Sequence, residues 1–186
     1  MQYFQKIKQK DFILLKNNKV DFVYLPNERQ IYPKGANKHL KIHPFSKKLC
    51  GKHRKGHFKA IVDVIDRFLK IIKPKMIFLG EKDMQQLLII KDFIFRKKIN
   101  TIVIPCKTVR EKNGIACSSR NLLLSKRQKL IASKVYKLIV KKKNKLINKE
   151  ISIKKIKILI HALGVKNIDY IKKININNIV TQNKKH

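Results

Sequence analysis

Two short apolar runs, at residues 76–79 and 101–106, predict a pair of strands. Each run is too short for a helix, and neither alternates with polar residues, so we expect strands that are buried on both faces of a parallel sheet. The apolar run at residues 87–90 lies between them and predicts a helix. A helix between two such strands joins them as a parallel pair, which indicates an α/β fold.

Periodic apolar stretches predict further helices. The clearest covers residues 58–72, where apolar residues recur at i, i+3, i+4 and i+7, and it ends before Pro74. Its charged residues Asp63, Asp66 and Lys70 fall outside the apolar positions, so we expect them away from the core. This stretch therefore predicts an amphipathic helix that packs on the sheet.

Capping signals predict two helices in the last third of the chain. Ser125 and Gln128 have the spacing of a capping box, and we expect the helix that they begin to end at the lysine run 141–143. A second helix is predicted at residues 153–163, with Gly164 as its C-cap. The inward face of the first of these helices is predicted to consist of Leu130, Ile131, Val135, Leu138 and Ile139.

Weaker patterns fill the remaining segments. Residues 1–15 have a loose helical periodicity, and residues 20–26 are rich in β-formers and end at a proline, which predicts a strand. Residues 27–46 are polar and contain proline and glycine, so we expect mostly loop. Residues 167–171 are a candidate strand.

The composition excludes some classes of protein. With 186 residues and 44% hydrophobic residues the chain can form a core, and no apolar run approaches the ~18 residues of a membrane span. Three scattered cysteines are typical of a reducing cytoplasm.

The net charge is +35, but only seven of the 46 basic residues are arginines and the lysines are spread evenly. A specific nucleic-acid reader usually relies on arginine, so a basic nucleic-acid-associated protein is the less favoured alternative.

The turn after the first predicted strand is a candidate phosphate site. Lys82 follows the strand directly and precedes a helix, whose free N–H groups favour anions. In open parallel sheets, ligands bind where such turns leave the carboxyl ends of the strands. The alternative is structural: Asp83 would be an N-cap that pairs with Gln86 in a capping box, and Lys82 would be solvated.

A second group of polar residues can also hold a phosphate. Asn113 and Gly114 predict a hairpin that returns residues 118–120 alongside Val109. The returning segment carries two serine hydroxyls and a guanidinium, which suit phosphate oxygens, although an ordinary polar loop is equally compatible.

A zinc site built from Cys50 and nearby histidines lacks the paired C-x-x-C spacing of such sites, so we expect no metal ligands. Those histidines are His39, His43, His53 and His57.

The order and spacing of these motifs resemble the pantothenate synthetase (pantoate–β-alanine ligase) family over nearly the whole chain. One difference is Asn113-Gly114, where the family prefers Asp-Gly. The shared motifs, in chain order, are Ile31-Tyr32-Pro33, Gly56-His57-Phe58, Phe78 through Gln86, Val109-Arg110, Asn113-Gly114 and Ser118 to Asn121.

The resemblance implies a fold and a reaction. The fold would be a Rossmann-like nucleotide-binding domain of the HIGH nucleotidyltransferase type at residues 1–106, followed by a small α+β C-terminal lid domain at residues 107–186. ATP would adenylate pantoate with release of pyrophosphate, and β-alanine would attack the pantoyl adenylate to give pantothenate and AMP. Mg²⁺ would bridge phosphate oxygens. The resemblance further implies a cytoplasmic homodimer with neither a membrane nor a specific nucleic acid as partner.

The resemblance also implies site residues. Lys82 and Arg120 would be catalytic, because they would neutralise charge that develops on the phosphates. Gln86 would bind pantoate, and Arg54 is a possible phosphate contact. The residues implied to line the ATP site are Gly80, Glu81, Lys82, Asp83, Val109, Cys117, Ser118, Ser119 and Arg120.

The chain also departs from the family pattern. The family's first strands and its His-x-Gly-His segment, which would bind the triphosphate, have no counterpart here, and the closing strands are shortened after Val180. We therefore expect an incomplete nucleotide-binding domain and a truncated lid. An inactive or binding-only fragment of the same enzyme is the alternative to an active ligase.

Overall fold

The computed structural model describes residues 2–176 and residue 179 of the chain. The chain divides into two compact units, 1–36 and 37–186. The predicted domain boundary at residues 106 and 107 lies inside the second unit and stays a prediction. Val180, where we expected the closing strands to be shortened, lies outside the described residues.

The first unit contains two helices. Helix α1 spans Gln2–Asn17, as the periodicity predicted, and the short helix α2 spans Glu28–Ile31 inside the segment predicted as loop. A capping box begins α2: the Asn27 side chain accepts from the Gln30 N–H at 2.9 Å, and the Gln30 side chain accepts from the Asn27 N–H at 2.8 Å. Two local side chains thus satisfy backbone donors that the helix itself leaves unpaired.

The strand predicted at residues 20–26 is wrong. None of these residues belongs to a strand of the described sheet, and Phe22 is 92% exposed. β-Propensity expresses how well a side chain fits a pleated surface against neighbouring strands. In the described part of the chain no strand pairs with residues 20–26, so the same β-formers stay irregular.

The second unit is built around a parallel pair of strands. Strand β1 (Met76–Gly80) pairs with β2 (Ile102–Cys106), and the register runs from Met76 opposite Ile102 to Gly80 opposite Cys106. Helix α5 (Met84–Arg96) connects them, which confirms the predicted strand–helix–strand order. The Thr101 hydroxyl donates to the Pro74 carbonyl at 2.7 Å and joins the two strands just before they begin.

The core lies between α5 and helix α4, which spans His57–Ile72. Ile90 has no exposed surface, and Val62, Ile89 and Phe93 are almost as deeply buried. Ile77 and Leu79 on β1 pack against this cluster from the sheet. Burial of a side chain of this size stabilises the fold by about 1.5–3 kcal/mol, so these few residues hold the sheet and both helices together.

Among the described residues, the sheet is covered on one face only, which corrects the prediction that both strands are buried on both faces. Met76 and Phe78 on β1 and Ile102 on β2 point away from the core, and Phe78 and Ile102 are each 63% exposed. The core helices α4 and α5 pack against the opposite face, through Ile77 and Leu79. An unbroken apolar run predicts a strand but does not show how many of its faces are covered.

Helix α4 also differs from its prediction. Asp63 and Asp66, expected away from the core, are buried, whereas Ile72 at the last turn is exposed. Asp63 accepts from the Arg67 side chain at 3.1 Å and from the Asn37 N–H at 2.9 Å. Asp66 pairs with Lys70 at 2.6 Å. Basic partners one turn away compensate the burial of both carboxylates, which periodicity alone does not reveal.

The hairpin predicted at Asn113 and Gly114 is confirmed. Arg110 and Ala116 form an antiparallel bridge, and the Glu111 N–H donates to the Ile115 carbonyl at 2.8 Å. Gly114 has a φ of +90°, a conformation that glycine adopts without steric cost. This turn carries residue 117 back beside residue 109.

Two helices follow the hairpin. Helix α6 spans Lys126–Ile147 with the predicted Ser125–Gln128 capping box, and it continues beyond the lysine run where we expected it to end. Leu130, expected on the inward face, is exposed. Helix α7 spans Ile153–Ala162, and its C-cap is Leu163, one residue before the predicted Gly164. Gly164 has a φ of +95°, the left-handed conformation that commonly follows a C-cap. The strand predicted at residues 167–171 is wrong, because these described residues join no sheet.

Candidate functional site

A cavity of about 400 Å³ lies beside the start of α5. Three segments of the second unit line it: the start of α5 with the turn before it, the region from the 3₁₀ turn Pro44–Lys47 to the start of α4, and the segment after α7. The polar residues that line it are Cys50, Arg54, His57, Lys82, Asp83, Gln85, Gln86, Tyr170 and Lys172. Four of the residues implied by the resemblance, Arg54, Lys82, Asp83 and Gln86, are therefore found together.

The turn between β1 and α5 forms the first wall. Gly80 ends the strand, and a 3₁₀ turn at Glu81–Asp83 leads directly into α5. Asp83 occupies the N-cap position of α5, but its side chain accepts no hydrogen bond from the helix backbone. The capping box of the structural alternative is therefore not formed, whereas Asp83 does hold the N-cap position and Lys82 is exposed, as that alternative expected.

Lys82 connects the two motifs that the sequence analysis singled out. Its Nζ donates to the carbonyl oxygen of Cys117 at 3.1 Å, across 35 positions of sequence. The Cys117 N–H in turn donates to the Val109 carbonyl at 2.9 Å, so the hairpin holds this acceptor in place. The strand-to-helix turn and the hairpin strand that precedes residues 118–120 therefore meet at the ammonium group of Lys82.

The second candidate phosphate motif, residues 118–120, lies beside the cavity. None of these residues is among the described residues that line it. Ser118 caps a 3₁₀ turn at Ser119–Leu123, where its Oγ accepts from the Arg120 N–H at 3.3 Å. The side chains of Ser119 and Arg120 are exposed. Among the residues implied for the ATP site, those outside the described lining are Gly80, Glu81, Val109, Cys117, Ser118, Ser119 and Arg120.

Arg54 and His57 form part of the second wall. Partial burial lowers the pKa of His57 below its ordinary value of 6.5, and the neighbouring Arg54 cation lowers it further, while the Asp83 carboxylate raises it. The imidazole is therefore predominantly neutral at pH 7, with the guanidinium as the permanent charge beside it. Phe58, the next residue of α4, packs its ring 5.3 Å from the His57 ring.

Gln85 lies within the motif Phe78 through Gln86, and the structure gives it a separate role. Its side chain is buried, and its amide bonds three backbone groups of the region at residues 45–50. A polar residue at the start of an otherwise apolar helix face was the signal in the sequence. Which backbone groups it bonds could not be predicted, because they lie 35 to 40 positions away.

The segment after α7 supplies the third wall, through Tyr170, Lys172 and Ile174. The Tyr170 hydroxyl lies 2.7 Å from the Sγ of Cys50. This hydrogen bond, together with partial burial, raises the pKa of Tyr170 to about 12. The two partners are 120 positions apart, and no local pattern predicted their contact.

The charge of the cavity favours an anion. Arg54, Lys82 and Lys172 line it, whereas Asp83 is the carboxylate among the described lining residues. Concave sites with an excess of one charge raise the local concentration of ligands of the opposite charge.

No group of three or more histidine, cysteine, aspartate or glutamate side chains that could hold a metal ion occurs among the residues described. The described helices are likewise all too short or too polar to cross a membrane.

Comparison with known proteins agrees with the motifs. The family model described as Pantoate-beta-alanine ligase matches residues 1–186. The chain belongs to this family.

Two curated relatives illustrate the similarity. A bifunctional pantoate ligase/cytidylate kinase of Prochlorococcus marinus subsp. pastoris is 44% identical over 133 residues, which cover 69% of this chain and 26% of the relative. A pantothenate synthetase of Legionella pneumophila (strain Lens) is 37% identical over 128 residues, which cover 69% of this chain and 51% of the relative. The chain thus spans about half the length of the Legionella enzyme.

Solved structures confirm the fold class. A pantoate-β-alanine ligase from Francisella tularensis, crystallised with beta-gamma ATP and β-alanine, superposes with a TM-score of 0.75 at 35% identity, over 90% of this chain and 62% of that one. Pantothenate synthetase from Thermus thermophilus gives a TM-score of 0.72 at 28% identity, over 83% of this chain and 56% of that one. The predicted α/β fold of the Rossmann-like nucleotidyltransferase type is therefore confirmed.

Proposed function

We propose that this chain forms the ATP- and pantoate-binding part of a pantoate–β-alanine ligase. In the proposed reaction ATP adenylates the pantoate carboxylate, pyrophosphate leaves, and β-alanine attacks the pantoyl adenylate to give pantothenate and AMP. The observation that carries the proposal is the contact between Lys82 Nζ and the Cys117 carbonyl at the rim of a cationic cavity, in a chain of this family.

The proposed roles follow from charge and position. Lys82 and Arg120 would stabilise negative charge on the phosphates during transfer, and Arg54 would contact the phosphates from the second wall. Gln86 would hold pantoate by its amide, since this side chain lines the cavity. ATP would lie along the turn at residues 80–83 and the segment at residues 117–120, which the Lys82 contact brings together.

Mg²⁺ fits this site as a companion of the nucleotide. Asp83 is the carboxylate among the described lining residues, and a magnesium ion of a nucleotide site commonly takes one or two carboxylates together with phosphate oxygens. Asp83 would then be the residue of this chain nearest to the ion, and the ion would neutralise phosphate charge. We further propose a homodimer in the cytoplasm.

A test can use pantoate-dependent exchange of labelled pyrophosphate into ATP, which reports the first step alone. We expect exchange by the purified protein and a loss of about 10²–10³-fold for Lys82→Met, because a preorganised cation at the transferring phosphate contributes about 3–4 kcal/mol. Lys91→Met is the matched control, since Lys91 is an exposed lysine of the following helix, α5, away from the cavity. Equal exchange by the two variants would contradict the role of Lys82.

A binding-only protein is the second candidate, favoured by the observation that the chain spans about half of the Legionella relative. It predicts that ATP binds, as calorimetry would measure, and that neither pyrophosphate exchange nor pantothenate appears. A folded protein that binds neither ATP nor pantoate would contradict both candidates.

A further inference from the structure

Gln85 makes three hydrogen bonds to backbone groups of a single loop. Its Nε2 donates to the carbonyls of Phe45 at 3.0 Å and Lys48 at 2.7 Å, and its Oε1 accepts from the N–H of Cys50 at 3.1 Å. The residue is 8% exposed. Both amide donors are thereby used within the protein, and the amide oxygen uses one of its two lone pairs there.

The loop that Gln85 holds has little regular structure of its own. Residues 45–50 include most of the 3₁₀ turn Pro44–Lys47, the two linking residues 48 and 49, and the first residue of the four-residue helix α3 (Cys50–His53). Leu49 in the link has a φ of +50°. The Cys50 N–H belongs to the first turn of α3, where a helix offers no acceptor of its own. Gln85 supplies that acceptor from α5.

The same loop reaches two walls of the cavity. Phe45, Leu49 and Cys50 line it directly, and α3 leads on to Arg54 and His57. The Cys50 Sγ also contacts the Tyr170 hydroxyl of the third wall at 2.7 Å. The Gln85 amide, on the first wall, is therefore linked by hydrogen bonds to the loop of the second wall. Through Cys50 it is also linked to Tyr170 of the third wall.

Gln86 provides an internal contrast. Consecutive residues of a helix point about 100° apart, so two adjacent glutamines face different surroundings. Gln86 is half-buried at the cavity, where we propose that it binds pantoate, whereas the Gln85 amide makes its three hydrogen bonds to the loop at residues 45–50.

We propose that Gln85 is the positioning residue of this cavity: its amide fixes the loop at residues 45–50, and through Cys50 the segment of Tyr170, at the distance from Lys82 and Gln86 that the ligands require. The expected effect on ligand binding rests on the proposed function, whereas the expected effect on the position of the loop at residues 45–50 does not. Gln85 acts on substrates only through the walls that it holds.

The direct test is amide hydrogen exchange at Cys50, measured by NMR in the full chain. Gln85→Met keeps the length of the side chain and removes all three hydrogen bonds, so the protection factor of the Cys50 N–H should fall about 10-fold or more. The Phe93 N–H in the middle of α5 should keep its protection, which shows that the core stays folded. Gln86→Met is the matched variant and should leave the Cys50 N–H unchanged.

A charged replacement supplies a pH-dependent readout. Gln85→Glu keeps an acceptor for the Cys50 N–H, but as a carboxylate it has no proton to donate to the carbonyls of Phe45 and Lys48. Burial raises the pKa of such a carboxyl above its ordinary value of about 4.3. Once protonated it can donate to one carbonyl, so the Cys50 protection factor should rise again as the pH falls through that raised pKa. This variant also tests the proposal if Gln85→Met fails to fold.

The link to the third wall has its own readout. In Gln85→Met the Tyr170 phenol should titrate closer to its ordinary pKa of 10 than to the value of about 12 in the intact protein, because the displaced Cys50 no longer bonds it. Absorbance at alkaline pH measures this, with Tyr170→Phe to assign the signal. The dissociation constant of ATP, measured by calorimetry, should rise in the same variant.

The outcomes separate the two proposals. Unchanged Cys50 protection in Gln85→Met, or equal loss in Gln86→Met, would overturn the role of Gln85. Lost protection of the Cys50 N–H with an unchanged Tyr170 titration and an unchanged ATP affinity would also overturn this role. The loop at residues 45–50 would then move without affecting the other walls of the cavity. If the intact protein binds no ATP, the proposed function fails, while the exchange and titration results still decide the role of Gln85.

Discussion

Neighbouring residues at the start of α5 face different surroundings and take different roles. Lys82 reaches across to the Cys117 carbonyl, Asp83 and Gln86 line the cavity, and Gln85 between them turns to the loop at residues 45–50. Within α5 the helical rotation of about 100° per residue separates Gln85 from Gln86. A short, mostly polar motif therefore contains both ligand-facing and structural positions.

His57 offers a prediction at the residue scale. Because its pKa is lowered first by burial and then by the Arg54 cation, Arg54→Met should raise the pKa of His57 towards 6.5, and Asp83→Asn should lower it further. Ring-proton NMR titration measures both shifts, with His57→Gln to assign the resonance. A fall of the His57 pKa in Arg54→Met would contradict this electrostatic account.

The same shift has a consequence for stability. The folded pKa of His57 lies below the unfolded value of about 6.5, so the unfolded chain binds the proton first as the pH falls. The contribution of His57 to stability is therefore fully present above about pH 6.5 and is lost as the pH falls through the folded pKa. His57→Gln should remove this part of the pH dependence between neutral and mildly acidic solution, as urea denaturation across that pH range would measure.

At the scale of elements, the hairpin is held in place by its contacts with α6. The Ser133 hydroxyl donates to the Asn113 carbonyl at 2.6 Å, and the Arg110 guanidinium lies 4.0 Å from the centre of the Tyr136 ring. These contacts hold the turn and the first arm of the hairpin, whose returning arm carries Cys117, the acceptor of Lys82. Helix α6 thus supports the candidate site without reaching the cavity.

Gly114→Ala tests this arrangement. At a φ of +90° an alanine is strained, and its Cβ would clash with the Tyr136 ring, so we expect a loss of about 2–3 kcal/mol in the free energy of unfolding. Gly35→Ala is the control, since Gly35 has a similar φ of +72° but a Cβ added there would meet open space. This variant should lose about 1 kcal/mol in the free energy of unfolding. Urea denaturation of the two variants gives the comparison. Equal losses would exclude packing against Tyr136 as the cause.

At the scale of the whole molecule, charge has a general effect that is separate from the proposed function. A net charge of +35 on 186 residues attracts any polyanion, with dissociation constants of about 10⁻⁴–10⁻⁶ M for DNA at physiological salt. We expect binding of duplexes of unrelated sequence to be equally weak and to decline steeply with salt, as fluorescence anisotropy would measure. Sequence-dependent affinity of about 10⁻⁸ M would instead support a nucleic-acid-associated protein.

The sequence by itself determined the features that depend on neighbours along the chain. The Ser125–Gln128 capping box, the turn at Gly114 and the parallel strands β1 and β2 are all where the pattern predicted them. Each depends on backbone dihedral preference, on hydrogen bonds over three or four positions, or on a short apolar run. The family was also evident from the motifs, since their order and spacing persist in the linear sequence.

Only the tertiary structure decided which surfaces are buried and which distant groups meet. The burial of Asp63, the exposure of Phe78, and the contacts of Gln85 and of Cys50 with Tyr170 all contradicted or escaped the sequence patterns. Burial depends on which other elements pack against a face, and a hydrogen bond between residues 35 or 120 positions apart depends on the path of the chain between them. The cavity is made of such contacts, because its three walls come from separate parts of the chain.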